Sequence, residues 1–131
     1  MKNFFILLFC VTAVLLSSCQ DKSSKTVTLV DPEVFLETLE KDNSGQLVDV
    51  RTTEEFAVGH LKNAQNICVT DDDFEEKIKK LDKSKPVYVY CRSGGRSARA
   101  AKILEEKGFT KVFDLNGGIT SWKEKGLQTE Q

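Results

Sequence analysis

Three observations predict an α/β fold built on a parallel five-stranded sheet with helices on both faces. Short apolar runs alternate with amphipathic segments along most of the chain, the signature of strands joined by helical crossovers. The run Val87–Tyr90 is β-branched and aromatic without interruption, as suits a strand covered on both faces. The 131 residues fit a single domain, with no internal repeat or low-complexity segment.

Taken in order, Val27 to Val30 is the first strand candidate. Asp31 is a suitable N-cap and Pro32 suits the first helical position, with Val34, Phe35, Leu36 and Leu39 supplying the apolar face. Asn43-Ser44-Gly45 turns the chain into a second strand over Leu47 to Val50. Thr52 or Thr53, followed by Glu54, Glu55 and Phe56, reads as a short capped helix that ends at Gly59-His60-Leu61. Ala64 to Val69 is expected as a third strand, and Phe74, Ile78 and Leu81 mark an amphipathic helix. After the loop Asp82–Lys85 and the central strand, Ser97 to Lys107 is expected as a helix. Ala98, Ala101 and Leu104 stand at helical spacing there, and Gly108 stops it. Lys111 to Leu115 is the fifth strand, Asn116-Gly117-Gly118 a backbone turn, and Ile119, Trp122 and Leu127 belong to a last helix and its tail.

Between the central strand and the helix after it lie Cys91, Arg92, Ser93, Gly94, Gly95 and Arg96. A strand, a glycine-containing loop and a helix start direct backbone N–H groups and the positive end of the helix dipole at one point. A cysteine there has a lowered pKa and becomes a thiolate near neutral pH. Glycines admit a ligand close to the backbone, and Arg92 and Arg96 add positive charge. The pattern suits a nucleophilic sulfur acting on a small anion. In a parallel α/β sheet ligands bind beyond the carboxyl ends of the strands, the edge on which Cys91 and also Arg51 fall.

The charge balance of 19 Lys plus Arg against 20 Asp plus Glu, net −1, shows no basic stripe and no sign of nucleic acid binding. The four cysteines, Cys10, Cys19, Cys68 and Cys91, have no metal-binding spacing, so no metal is expected. The first residues differ from the rest. Lys2 precedes an uncharged apolar run from Phe4 to Leu16. At about 20 Å as a helix, it falls short of a ~30 Å bilayer core and suits a signal-peptide core better than a membrane span. Leu16-Ser17-Ser18-Cys19 resembles a bacterial lipobox. That resemblance implies a signal peptide over residues 1–18, cleavage before Cys19 and lipidation of Cys19, followed by a polar tether through residue 26. The domain proper then spans residues 27–128. The expected setting is an exported bacterial lipoprotein held at a membrane, on the periplasmic side or the cell surface.

Three motifs resemble those of a single-domain rhodanese. The first is Leu47-Val48-Asp49-Val50-Arg51 with Glu55-Phe56, Gly59-His60-Leu61, Ala64 and Asn66-Ile67. The second is Tyr90-Cys91-Arg92-Ser93-Gly94-Gly95-Arg96-Ser97, and the third is Leu115-Asn116-Gly117-Gly118 with Trp122 and Gly126. They follow the family's order and cover nearly everything after the tether. The resemblance implies the rhodanese-like fold and a thiosulfate-type sulfurtransferase that needs no cofactor. Cys91 would be the sulfur carrier, with Ser93, Gly94 and Gly95 contributing loop N–H groups and Arg92 or Arg96 holding the donor's oxygens. Its partners would be a small anionic sulfur donor and a thiophilic acceptor, the latter either a small molecule or a protein. A non-catalytic persulfide carrier or binding module is the alternative. Phosphatases and arsenate reductases of similar architecture use a loop one residue longer, so the six residues from Cys91 to Arg96 disfavour that chemistry.

Asp49 and Arg51 resemble a family pair near the active site and are expected to bond loops and each other. His60, the single histidine, is expected in a structural hydrogen bond, and Trp122 in the core. The chain departs from the family at Lys62-Asn63, where Asn63 can take the left-handed conformation, and at Cys68. Cys68 and Cys91 would be the thiols left after export, a candidate disulfide pair in an oxidising compartment; a buried small side chain is the other reading of Cys68.

Overall fold

The computed structural model describes residues 25–131. The expected signal segment, Cys19 and most of the expected tether lie outside the described residues. The element order is β1 (Val27–Val30), α1 (Pro32–Lys41), β2 (Gln46–Asp49), α2 (Thr53–Val58), β3 (Gln65–Asn66), α3 (Phe74–Ile78), β4 (Val87–Tyr90), α4 (Gly95–Glu106), β5 (Val112–Leu115) and α5 (Gly118–Glu124). All five strands are parallel, in the order β1-β5-β4-β2-β3, so β4 lies at the centre.

Side-chain alternation along β4 divides the core. Val87, Val89 and Cys91 face α3 and α4, packing with Phe74, Ile78, Ala100, Ala101 and Leu104. Tyr88 and Tyr90 face α1 and α5, packing with Phe35, Ile119 and Trp122. Phe35 meets Tyr88 and Trp122 edge-on, at ring-centroid distances of 5.5 and 6.3 Å.

Three expectations need correction and one needs refining. The third strand is shorter than Ala64–Val69. Ile67 and Val69 still donate to the Asp49 and Val50 carbonyls, but those acceptors are consecutive residues, the last of β2 and the one after it, which departs from a regular ladder. Helix α4 starts at Gly95 rather than Ser97, and its buried face is Ser97, Ala100, Ala101 and Leu104, with Ala98 exposed. Asp31 is the N-cap of α1 as expected, but its carboxylate makes no capping bond and instead accepts a hydrogen bond from the Asn116 side chain at 2.9 Å. Cys68 and Cys91 are free thiols. They stand on opposite sides of β2, so about two strand spacings, ~10 Å, separate their Cα atoms. That exceeds the ~7 Å a disulfide spans, and the candidate pair is not part of this fold.

Tyr90 ties the central strand to the loop after α2: its buried hydroxyl accepts a hydrogen bond from the Leu61 backbone N–H at 3.0 Å. Tyr90→Phe leaves that N–H unpaired and is expected to cost about 1–3 kcal/mol in denaturant unfolding.

Candidate active site

The carboxyl edge of the sheet carries the site. Cys91 directly follows β4 and is buried. The Gly94 N–H donates to its sulfur at 3.1 Å, and the sulfur lies 3.4 Å from the Ser97 hydroxyl, which itself donates to the Gly94 carbonyl at 3.2 Å. Burial pushes the Cys91 thiol up. The Ser97 hydroxyl and the N–H groups of Ser97, Gly94 and Ser93 outweigh burial and bring the thiol below its ordinary value. Gly94, at φ +122°, makes the turn from strand to helix that brings these donors together.

A second layer holds the loop from behind. The Ile119 and Thr120 N–H groups of α5 donate to the Cys91 and Arg92 carbonyls at 2.9 and 3.1 Å. This approach depends on Gly118. A Cβ there would fall 2.5 Å from the Cys91 oxygen and from the Arg92 carbonyl group, and φ is +61°.

The two loop arginines part company. Arg96 grips Glu55 with both terminal nitrogens, at 2.6 and 2.9 Å. Its guanidinium fork is therefore engaged within the protein, although its charge still faces Cys91. Glu55 also completes a reciprocal cap with Thr52, deciding between the two threonines as N-cap. Arg92 makes no ion pair among the described residues and is exposed. It borders an open groove of about 530 Å³ shared with Val58, Thr120 and Lys123. Ser93 and Gly95 are exposed at the loop's surface.

Asp49 and Arg51 form a buried ion pair at 2.7 Å, and Arg51 also donates to the Gly59 carbonyl at 2.6 Å. The pair thereby pins the α2 exit to the end of β2. His60 stacks on Phe56, 3.8 Å between centroids, with Nδ1 2.9 Å from the Phe56 carbonyl. Cys68 meets the Thr70 hydroxyl at 3.1 Å, and Asn63 adopts φ +65°.

Sequence reasoning missed several participants: Ser97 as partner of the sulfur, Glu55 as partner of Arg96, and Gly118 as the point where α5 meets the loop. The Thr52–Glu55 spacing gave a signal for the cap but none for the arginine, which lies 41 residues further along the chain.

A thiol in a cradle of backbone N–H groups, on a strand-to-helix loop at the carboxyl edge of a parallel sheet, defines an α/β protein equipped to stabilise an anionic sulfur. The match to the Rhodanese-like domain over residues 31–125 places the chain in that family, to which it belongs. It is 30% identical over 107 residues to the thiosulfate sulfurtransferase GlpE of Actinobacillus pleuropneumoniae, covering 82% of this chain and 96% of that one. It is 39% identical over 77 residues to YqhL of Bacillus subtilis, covering 59% of this chain and 60% of that relative. Among solved structures, a rhodanese-related protein from Thermoplasma volcanium superposes with a TM-score of 0.68 at 31% identity, over 77% of this chain and 95% of that one.

Two tests follow from this geometry. Gly118→Ala is expected to lose at least about 2 kcal/mol of stability in denaturant unfolding, because it combines a left-handed side chain with a steric clash against backbone. Arg96 holds Glu55 down to about 2, from an ordinary value of 4.5. The pair's contribution is thus present above the ordinary value and lost as pH falls through about 2. Glu55→Gln should therefore lower stability at neutral pH and narrow the gap to the parent protein toward pH 2.

Proposed function

We propose that the protein is a sulfurtransferase that carries sulfane sulfur as a Cys91 persulfide, with thiosulfate or a similar anion as donor. The observation that carries this reading is the set of hydrogen bonds on the Cys91 sulfur, which favour the negative charge of the attacking thiolate. The Cys91 thiolate attacks the outer sulfur of the donor. The donor's S–S bond breaks, sulfite leaves with the electron pair, and the persulfide remains in the cradle. A thiophilic acceptor then attacks the terminal sulfur and restores the thiolate. Arg92, the loop arginine whose guanidinium is not engaged, meets the donor's oxygens, and Arg96 supplies charge from its place on Glu55. None of these steps calls on a metal or an organic cofactor.

The groove beside Arg92 is wide for a small anion and includes the exposed Val58. This favours a second reading, in which the acceptor is a protein thiol and the domain serves as a persulfide carrier. We further propose that Cys19 is the lipidated N-terminus of an exported, membrane-held protein. Intact-mass measurement of the purified protein checks this through the acyl chains on Cys19.

With thiosulfate, mass spectrometry should find one added sulfur on Cys91, and Cys91→Ser should abolish both the adduct and turnover with cyanide. A Cys91→Ser protein with full turnover would remove the proposal. Arg92→Ala should raise the KM for thiosulfate about tenfold or more, the loss expected for one charge-assisted contact. Stable adduct formation without cyanide turnover would instead favour the carrier reading.

A further inference from the structure

The sulfur site occupies the carboxyl edge of the sheet, and the amino edge opposite it is basic. Because the strands are parallel, β1, β5 and β4 all start at that edge. Backbone hydrogen bonds stitch their lead-in segments together. The Val112 N–H donates to the Thr26 carbonyl at 2.8 Å, the Val87 N–H to the Lys111 carbonyl at 3.0 Å, and the Thr110 N–H to the Lys83 carbonyl at 3.4 Å. Lys25, Lys80, Lys83, Lys85, Lys107 and Lys111 therefore share one contiguous edge, and all but the half-buried Lys111 are exposed. Lys25, Lys80 and Lys83 have no ion pair among the described residues. The acids nearby are largely engaged: Asp42 and Asp82 each accept hydrogen bonds from a serine two residues on, and Glu75 meets Lys107 at 3.0 Å. Glu40, Glu105 and Glu106 stand exposed in the last turns of α1 and α4. The carboxyl edge differs, with Asp71, Asp72 and Asp73 exposed in succession before α3. With a net charge of −1 for the whole chain, the basic edge is an asymmetry of placement rather than an excess of lysine.

We propose that this amino edge is the membrane-facing surface of the domain, a lysine face that seats on anionic lipid headgroups and turns Cys91 toward the aqueous phase. The direction of the surface rests on the reading of Cys19 as the membrane anchor. Cys19 stands six residues before Lys25, so an anchor there keeps the start of β1 within about 20 Å of the bilayer surface even with the intervening chain fully extended. Lys25 and the neighbouring lysines then lie where an anionic leaflet attracts cations, within reach of a field that fades over about one Debye length, ~10 Å. Asp71, Asp72 and Asp73, at the other edge, are repelled by the same field, so attraction and repulsion favour one orientation. In that orientation β4 points away from the bilayer, and the open groove beside Arg92 faces acceptors arriving from solution.

The test is lysine footprinting of the full chain on vesicles, either of phosphatidylcholine alone or of phosphatidylcholine with phosphatidylglycerol. A water-soluble acetylating ester labels exposed amines, and mass spectrometry reads each lysine. Lys25, Lys80, Lys83 and Lys85 should react about threefold or more slowly on the anionic vesicles, and the protection should vanish in high salt. Lys123, beside the Arg92 groove, should react equally on both. Combining Lys80→Gln, Lys83→Gln and Lys85→Gln changes exposed side chains only, and should release Lys25 and Lys107 from protection. Flotation with the neutral vesicles reports the anchor separately. A chain that fails to float there, yet shows the lysine pattern on anionic vesicles, upholds the basic surface without the anchor. Flotation with both vesicles and uniform labelling would leave the anchor standing and overturn the surface. Flotation with neither, or protection of Lys123 equal to that of the amino edge, would overturn it as well.

Discussion

The site depends on holding a negative sulfur inside a protein. A buried thiolate without partners is costly, and burial is indeed the largest single influence on Cys91, acting against ionisation. What reverses the balance is the loop: the Gly94 N–H and the Ser97 hydroxyl meet the sulfur directly, and the nearby Ser93 and Ser97 N–H groups lower the thiol further. The backbone donors need not reorganise when charge develops, because a turn and the first turn of α4 already fix them, and the Ser97 hydroxyl has only to rotate from the Gly94 carbonyl. The early start of α4, at Gly95, brings Arg96 and Ser97 into helical geometry and so aims the Ser97 side chain at the sulfur.

The rest of the molecule maintains that convergence. Neither α5 nor the Glu55–Arg96 pair contacts the sulfur itself. α5 holds the loop by its carbonyls, and Glu55 fastens the first turn of α4 to the cap of α2. The Asp49–Arg51 pair joins the end of β2 to the Gly59 carbonyl. Arg96 thus acts through position and field rather than as a free anion clamp, which leaves Arg92 as the exposed loop cation facing the groove.

Much of this was legible from residue patterns. The five strands, their parallel arrangement and the cysteine loop follow from periodicity and from the glycines after Val87–Tyr90. Two positions show where such reading stops. Asp31 is the N-cap that its place before Pro32 suggests, but Asn116, 85 residues further along, claims the carboxylate that would have capped the helix. Ala98 fits a helical apolar stripe, yet the helix phase set by Gly95 exposes it and buries Ser97 instead. In both cases local preference is weak beside a tertiary contact of comparable or larger energy.

By itself, then, the sequence determined the alternation of elements, the family, and the cysteine whose chemistry matters, because these depend on local spacing and on residue types with few alternative uses. Tertiary structure decided which loop arginine is without an ion pair among the described residues, which hydroxyl reaches the sulfur, that Cys68 stands a strand away from Cys91, and that a carboxyl from β5 is buried. Those outcomes arise where residues distant in the chain compete for the same hydrogen bonds and the same buried space, and only the packed sheet and helices resolve that competition.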